Sequence, residues 1–124
     1  MPKIVYTASK GLVQSPGAGI SIERADATGA ANAATANGTS GTLTLQAATI
    51  NTGEAGATQT ITNNRVKSSS VVLLNVTSNG SSDKGCPQPF IIAVADGSFT
   101  FKLGNAHGSH NITQADVKVS YFVI

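Results

Sequence analysis

Alternating apolar and polar residues between Phe90 and Leu103 predict a β-hairpin near the end of the chain. Its turn falls at Asp96-Gly97, a dipeptide typical of two-residue hairpin loops. Such a turn fixes the register, and the predicted register makes one face of the hairpin entirely apolar. The pairs on that face are Val94 with Phe99, Ile92 with Phe101 and Phe90 with Leu103. Turn chemistry and hydrophobic pattern therefore agree, and we expect this hairpin to form the centre of the core.

Short alternating stretches recur along the rest of the chain, separated by residues typical of turns. The further predicted strands are 3–7, 20–22, 42–47, 59–62, 70–77 and 116–124. No segment has a convincing helical period, and strands spaced roughly ten residues apart are typical of β-sandwiches and jelly rolls. The sequence therefore predicts an all-β fold, an antiparallel β-sandwich that is jelly-roll-like.

One segment departs from this pattern, namely residues 25–41, ADATGAANAATANGTSG. It has no large apolar residue to anchor it, and Gly and Asn interrupt its alanines, so we predict irregular backbone. Because it buries too little apolar surface to offset its ordering entropy, we expect neighbouring subunits to hold it. We divide the chain into 1–40, an N-terminal arm with short extended segments that is not an independent domain, and 41–124, a β-sandwich domain.

The last predicted strand is apolar on both faces at its end. One face is formed by Val117, Val119, Tyr121 and Val123, whereas the opposite face begins polar and ends with Phe122 and Ile124. A single sandwich needs only one buried face, so either another subunit or a loop of the same chain covers this end. The predicted assembly interface combines this end with the arm and consists of Ile20, Ile22, Phe122 and Ile124.

Composition limits the classes of partner. The chain has 124 residues, enough for one domain, and only 11% are charged, against about 25% in average soluble domains. The polar part of the surface must therefore consist mainly of Thr, Ser, Asn and Gln side chains. This suits a crowded assembly or an extracellular setting. The net charge of +2 comes without a Lys/Arg cluster, so we expect no nucleic-acid partner.

The chain also gives no sign of membrane insertion or secretion. No apolar run approaches the roughly 20 residues of a transmembrane helix, so we expect no membrane partner. The start of the chain lacks the apolar run of a signal peptide. Release by cell lysis, as part of a virus particle, is consistent with both observations.

Candidate chemistry is sparse. His107 and His110 lie three apart in one loop and could ligate a metal, but sites need three or four ligands, so solvent-exposed loop histidines are favoured. Cys86 has no assignable base and is interpreted as an inert loop cysteine. The carboxylates are scattered, and the Asn-x-Ser/Thr sequons at Asn37, Asn75, Asn79 and Asn111 are expected to carry no glycans. The sequence therefore predicts no enzyme activity, no catalytic residues, no cofactor and no metal.

Two motifs give the chain a resemblance to a known group of proteins. One is an N-x-x-V-x-x-S-x-V run, here Asn63/Asn64, Val66, Ser69/Ser70 and Val71/Val72. The other is G-S-F-x-[FIV]-x-[LV]-x-N, here Gly97, Ser98, Phe99, Phe101, Leu103 and Asn105. With the final VKVSYFVI, they resemble small β-sandwich virion proteins of tailed bacteriophages, which serve as capsid decoration proteins and as tail-fibre or spike domains, particularly in marine phages. The likeness covers roughly residues 41–124, and the N-terminal KGLVQSPGAGISI also looks like the start of such proteins.

The resemblance implies a structural virion protein rather than an enzyme. The favoured function is a capsid decoration (cement) protein that binds the outer capsid surface and stabilises the particle, with the major capsid protein or another virion protein as partner. The resemblance further implies a homotrimer, assembled in the host cytoplasm and released by lysis in the virion. The alternative is a tail-fibre, spike or receptor-binding module, whose polar loops 79–88 and 104–114 would contact the host surface.

Overall fold

The computed structural model describes residues 4–7, 11–14, 23–79 and 85–124. Their regular structure is a series of strands and a single 3₁₀ turn, without an α-helix. The strands are β1 (Ile4–Thr7), β2 (Gly11–Gln14), β3 (Ala27–Thr28), β4 (Ala33–Thr35), β5 (Ser40–Thr44), β6 (Thr49–Ile50), β7 (Gln59–Thr62), β8 (Val72–Ser78), β9 (Pro87–Ala95), β10 (Ser98–Asn105), β11 (Ile112–Thr113) and β12 (Lys118–Val123), and the 3₁₀ turn is Gln114–Asp116. The prediction of an all-β fold is confirmed.

Two four-stranded sheets enclose the core. The first sheet has the order β3-β5-β12-β8 and the second has the order β4-β7-β10-β9, while β1 with β2 and β6 with β11 form separate two-stranded pairs. Phe99, Phe101 and Leu103 of β10 are buried against Leu43, Val119 and Tyr121 of the first sheet. This is a β-sandwich; its strand pairs are antiparallel except for β3 with β5 and β4 with β7, which are parallel. The jelly-roll topology stays a prediction.

The central hairpin forms with its turn at Asp96-Gly97, but its register changes halfway. Ala95 pairs with Ser98 and Val94 with Phe99 as predicted, whereas Phe101 pairs with Ile91 because a β-bulge follows Thr100. The predicted pairs Ile92–Phe101 and Phe90–Leu103 are therefore wrong. The extra residue in β9 moves the side chains that precede it to the opposite face of the sheet. Ile91 therefore packs on the core, while Ile92 and Phe90 are exposed.

The prediction of irregular backbone for residues 25–41 is also wrong. This segment supplies β3 and β4, the outer strands of the two sheets, and the beginning of β5. Small residues make this possible, because they let the chain lie close to the sandwich: Ala36 is buried, and a Cβ on Gly41 would collide with the Ala25 carbonyl group. The sequence-based boundary between residues 40 and 41 falls inside β5.

The sandwich has two distinct ends, which we name by their contents. The turn end holds the Asp96-Gly97 turn and the last residue, Ile124. It is closed by backbone hydrogen bonds from Gly97 to the Val66 carbonyl (2.9 Å) and from Asn63 to the Gly97 carbonyl (2.8 Å). The loop end holds residues 104–111 and the β6–β11 pair, in which Ile50 and Ile112 are buried opposite each other.

Candidate functional site

Four apolar residues form a cluster on the outer face of the first sheet, at the turn end. We call this cluster the apolar patch; its members are Val71, Leu73, Phe122 and Ile124. Val71 and Ile124 exchange two backbone hydrogen bonds of 2.9 Å, and Leu73 lies directly opposite Phe122. Val71, Leu73 and Ile124 are 55%, 52% and 68% exposed, and Phe122 is partly buried. The patch is therefore an apolar surface that the described part of the chain leaves in contact with water.

Period-two alternation explains why these residues face outward. In β8, Val72, Leu74 and Val76 point to the core, so the residues between them point to solvent. In β12, Val119, Tyr121 and Val123 occupy the core, which turns the intervening side chains outward. Because both strands carry apolar residues on both faces near the turn end, the sequence itself specifies a second apolar face, which the described part of the chain does not bury.

The same outer face is polar towards the loop end. Asn75 lies opposite Ser120, and the Lys118 ammonium group donates a 3.0 Å hydrogen bond to the Thr44 hydroxyl group. The patch is thus bordered by hydroxyl and amide groups, the arrangement of an apolar centre with a polar rim that protein interfaces commonly show.

Apart from Lys118, charged residues beside the first sheet lie at its opposite edge and pair with one another. Arg24 is 3.1 Å from the Asp26 carboxylate, which also accepts a 2.7 Å hydrogen bond from the Thr42 amide. That backbone hydrogen bond, helped by Arg24, holds the pKa of Asp26 below its ordinary value. At the turn end, Arg65 and Glu23 form an ion pair of 2.8 Å, and the hydrogen bond to Glu23 raises the pKa of Arg65. Both pairs are exposed, so they add little stability, and each neutralises its own charge.

A second exposed apolar region lies on the edge strand of the other sheet. The bulge in β9 leaves Phe90 43% and Ile92 50% exposed. An open depression of about 280 Å³ adjoins the Phe90 ring, and Glu54, Gln88 and Gly104 also line it. An exposed aromatic ring beside a carboxylate and a carboxamide is a combination able to hold a small polar ligand.

The loop carrying His107 and His110 is built around a buried amide. Asn105 is 2% exposed; its Oδ1 accepts hydrogen bonds from the Cys86 and His107 amides, both 3.1 Å, and its Nδ2 donates to the His110 carbonyl group at 2.7 Å. His107 Nδ1 accepts from the amides of Ser109 and His110, at 3.0 and 3.1 Å. This ring nitrogen is therefore engaged in shaping the loop.

The two imidazole rings do come together, with centroids 4.8 Å apart. Among the described residues, however, no third histidine, cysteine or carboxylate joins them in a group able to hold a metal ion. Cys86 is an exposed free thiol in the described structure. A membrane-spanning helix is not found in the described part of the chain.

The predicted interface residues have different outcomes. Phe122 and Ile124 lie together in the apolar patch, whereas Ile20 and Ile22 lie outside the described residues. Val71 and Leu73 were missing from the prediction, although the signal was present, since the strand containing them is apolar on both faces. Phe90 and Ile92 were missed because the alternation alone placed them in the core, and no sequence signal marked the bulge.

The motif residues behind the resemblance have structural roles. Phe99, Phe101 and Leu103 fill the core, and Asn63 is fully buried, donating a 2.8 Å hydrogen bond to the Gly38 carbonyl group and accepting one from the Arg65 amide. Asn105 organises the loop end in the same way. Comparisons of the chain with protein-family models, with curated proteins and with solved structures found no match.

Proposed function

We propose that this chain is a structural bacteriophage virion protein, a capsid decoration protein that binds the outer capsid surface and stabilises the particle. The observation that carries the proposal is the apolar patch, which gives a sandwich with a well-packed core an exposed surface suited to binding another protein. The resemblance to phage sandwich proteins, stated from the motifs above, supplies the class of partner: the major capsid protein or another virion protein.

The arrangement of the two ends supports this role. The apolar patch lies at the turn end, and the loops with His107 and His110 lie at the opposite end of the sandwich. Docking through the patch would therefore leave the polar loops outside the contact. Binding to the assembled lattice would stabilise it by mass action, and the protein would be assembled in the host cytoplasm and released in the virion by lysis.

The test uses particles of the phage that encodes this chain, prepared without the protein, to which the purified protein is added back. Co-sedimentation should show saturable binding to capsids. Leu73→Lys with Ile124→Lys should weaken binding by about 100-fold or more, since both charges would be desolvated in the contact. Thr60→Lys with Thr62→Lys, which adds the same two charges on the exposed outer face of the second sheet, is the matched control and should bind normally.

Two results would contradict the proposal. Unchanged capsid binding by the double lysine variant would remove the patch from the function. Density for the chain found only at the tail in a particle reconstruction would exclude capsid decoration.

A receptor-binding or fibre-tip module is the second candidate function, and the depression beside Phe90 is the observation that favours it. Gln88 and Gly104, which belong to the two polar loops singled out in the sequence, line this same depression. The test is adsorption of purified protein to host cells. This function predicts saturable adsorption that Phe90→Ala abolishes and that the double lysine variant retains.

A further inference from the structure

The outer strands of the two main sheets are not equally protected against pairing with another strand. β3 and β4 have only two and three residues. β9 contains Pro87 and Pro89, which have no N–H to donate, and it is bent by the bulge. Short length, proline and bulges are the features by which natural edge strands avoid intermolecular pairing.

β8 is the exception. It is seven residues long, VLLNVTS, without proline or charge, and it is the last strand of its sheet. Its register with β12 shifts only beyond Val76, so residues 72–76 form a regular edge. The reciprocal hydrogen bonds of Val71 with Ile124 show that alternate residues from Val71 onward direct their backbone groups towards β12. The backbone groups of Val72, Leu74 and Val76 therefore point away from β12. β9 of the second sheet lies close to β8, but no strand other than β12 pairs with β8 in the described part of the chain.

The side chains along this edge are also unusual. The large apolar side chains that are exposed in the described structure lie on β8, on β9, directly before β8 or at the end of the chain. They are Val71, Leu73, Phe90, Ile92 and Ile124. Neither β8 nor β9 contains a charged residue. An apolar, uncharged edge with free hydrogen-bonding groups is a surface that a further strand would cover.

We propose that β8 pairs antiparallel with β8 of a second copy of this chain, across a two-fold axis at Leu73. An uncharged strand meets its own copy without like-charge repulsion, and a two-fold contact closes after two copies. In this register Leu73 lies opposite Leu73 of the second copy on the outer face, and Val72 forms hydrogen-bonded pairs with Leu74 of that copy. Leu73 thus meets Leu73 and Val72 meets Leu74, and the backbone groups that Val72 and Leu74 direct away from β12 are satisfied in both copies.

The pairing joins the first sheets of two copies into one continuous sheet. Opposite residues of paired strands point to the same face, so the two apolar patches come to lie on one side of the joined sheet. The pairing predicts a dimer or a multiple of two, which differs from the trimer that the resemblance implies. It does not depend on the capsid assignment, because it concerns only copies of this chain.

Cysteine cross-linking of the full-length chain tests the register. Cys86, the single native cysteine, is exposed, so each variant carries Cys86→Ser. Leu73→Cys should form a covalent dimer under mild oxidation, because directly opposite Cβ atoms lie about 4.5–5.5 Å apart. Asn75→Cys is the matched control on the same face; it lies opposite Val71 of the second copy and should not cross-link.

Light scattering of the purified protein gives the second measurement. The wild-type chain should have the mass of a dimer or a multiple of two, and Leu73→Lys should raise the dissociation constant by about tenfold or more, since like charges directly opposite each other destabilise a strand pair. Thr60→Lys should leave the mass unchanged. A monomeric or trimeric wild-type mass would overturn the proposal, as would cross-linking through Asn75→Cys without cross-linking through Leu73→Cys.

Discussion

Replacing Phe99 with alanine should remove the contact that holds the two sheets together. Phe99 of β10 is 1% exposed. Its ring centroid lies 6.0 Å from that of Tyr121, which belongs to the first sheet, and 6.3 Å from that of Phe101. Truncation therefore opens a cavity at the junction of the sheets rather than at the rim of the core.

The magnitude follows from burial. Full burial of a phenylalanine side chain contributes about 1.5–3 kcal/mol, and the cavity left in a close-packed core brings the loss to about 3–5 kcal/mol. The two ring contacts place this site towards the upper part of that range, because aromatic pairs contribute beyond their buried area. A domain of this size has a free energy of unfolding of roughly 6–18 kcal/mol, so the variant should fold but lose a large share of its stability.

Urea unfolding followed by circular dichroism measures this change, and Phe90→Ala is the matched control. Phe90 belongs to the same hairpin but is 43% exposed, so the same substitution should cost about 1 kcal/mol or less. Both variants should keep the wild-type dependence of free energy on urea. Equal losses for Phe99→Ala and Phe90→Ala would refute the assignment of faces that the bulge in β9 produces.

Further predictions concern the segment that supplies β3, β4 and the start of β5, and the stability of the turn end at low pH. Gly41→Ala should destabilise the protein by about 1–3 kcal/mol in thermal or urea unfolding, because the new Cβ would displace the Ala25 backbone. The Ala25 carbonyl group also accepts a 2.8 Å hydrogen bond from the Tyr121 hydroxyl group. Gly108→Ala is the control, since Gly108 is exposed with open space around it, and equal effects of the two substitutions would contradict the close approach of Gly41 to Ala25. A chain beginning at residue 23 should keep its cooperative unfolding and its circular dichroism spectrum, because β1 and β2 pair only with each other among the described strands, whereas a chain beginning at residue 41 loses β3 and β4 and should unfold at lower urea concentration. The Ser68 amide donates a 2.7 Å hydrogen bond to the Asp96 carboxylate and thereby lowers the pKa of Asp96. The stability that this hydrogen bond contributes should be present above about pH 4 and should decline as the pH falls below it. Asp96→Asn should reduce this decline in urea midpoints measured between about pH 5 and pH 2, and an undiminished decline would assign it to other groups.

Sequence patterns predicted a substantial part of the candidate site. Phe122 and Ile124 were assigned to an apolar second face, to be covered by another subunit or by a loop of the same chain, because a single sandwich needs only one buried face. Their neighbours Val71 and Leu73 were not predicted, although their strand is also apolar on both faces. What the pattern did not reveal is that the two strands lie side by side, because their pairing joins residues far apart in the chain.

The hairpin shows the same division between local and tertiary information. Asp96-Gly97 determined the turn, since Gly97 adopts a φ of +82° that other residues rarely reach. The register beyond Thr100 depended on the bulge, which brings Ile91 rather than Ile92 onto the core. The hydrophobic pattern of the sequence does not reveal this bulge, because the registers with and without it both place an isoleucine opposite Phe101.

The sequence by itself determined the all-β class, most strand positions, the hairpin turn and the apolar outer face of the last strand. These properties follow from side-chain alternation and turn chemistry, which act over a few residues. Only the tertiary structure decided that the alanine-rich segment closes both sheets, that Asn63 and Asn105 organise the two ends, and that β8 is the unprotected edge. Those properties depend on which distant strands meet, and the packing of the whole core selects those partners.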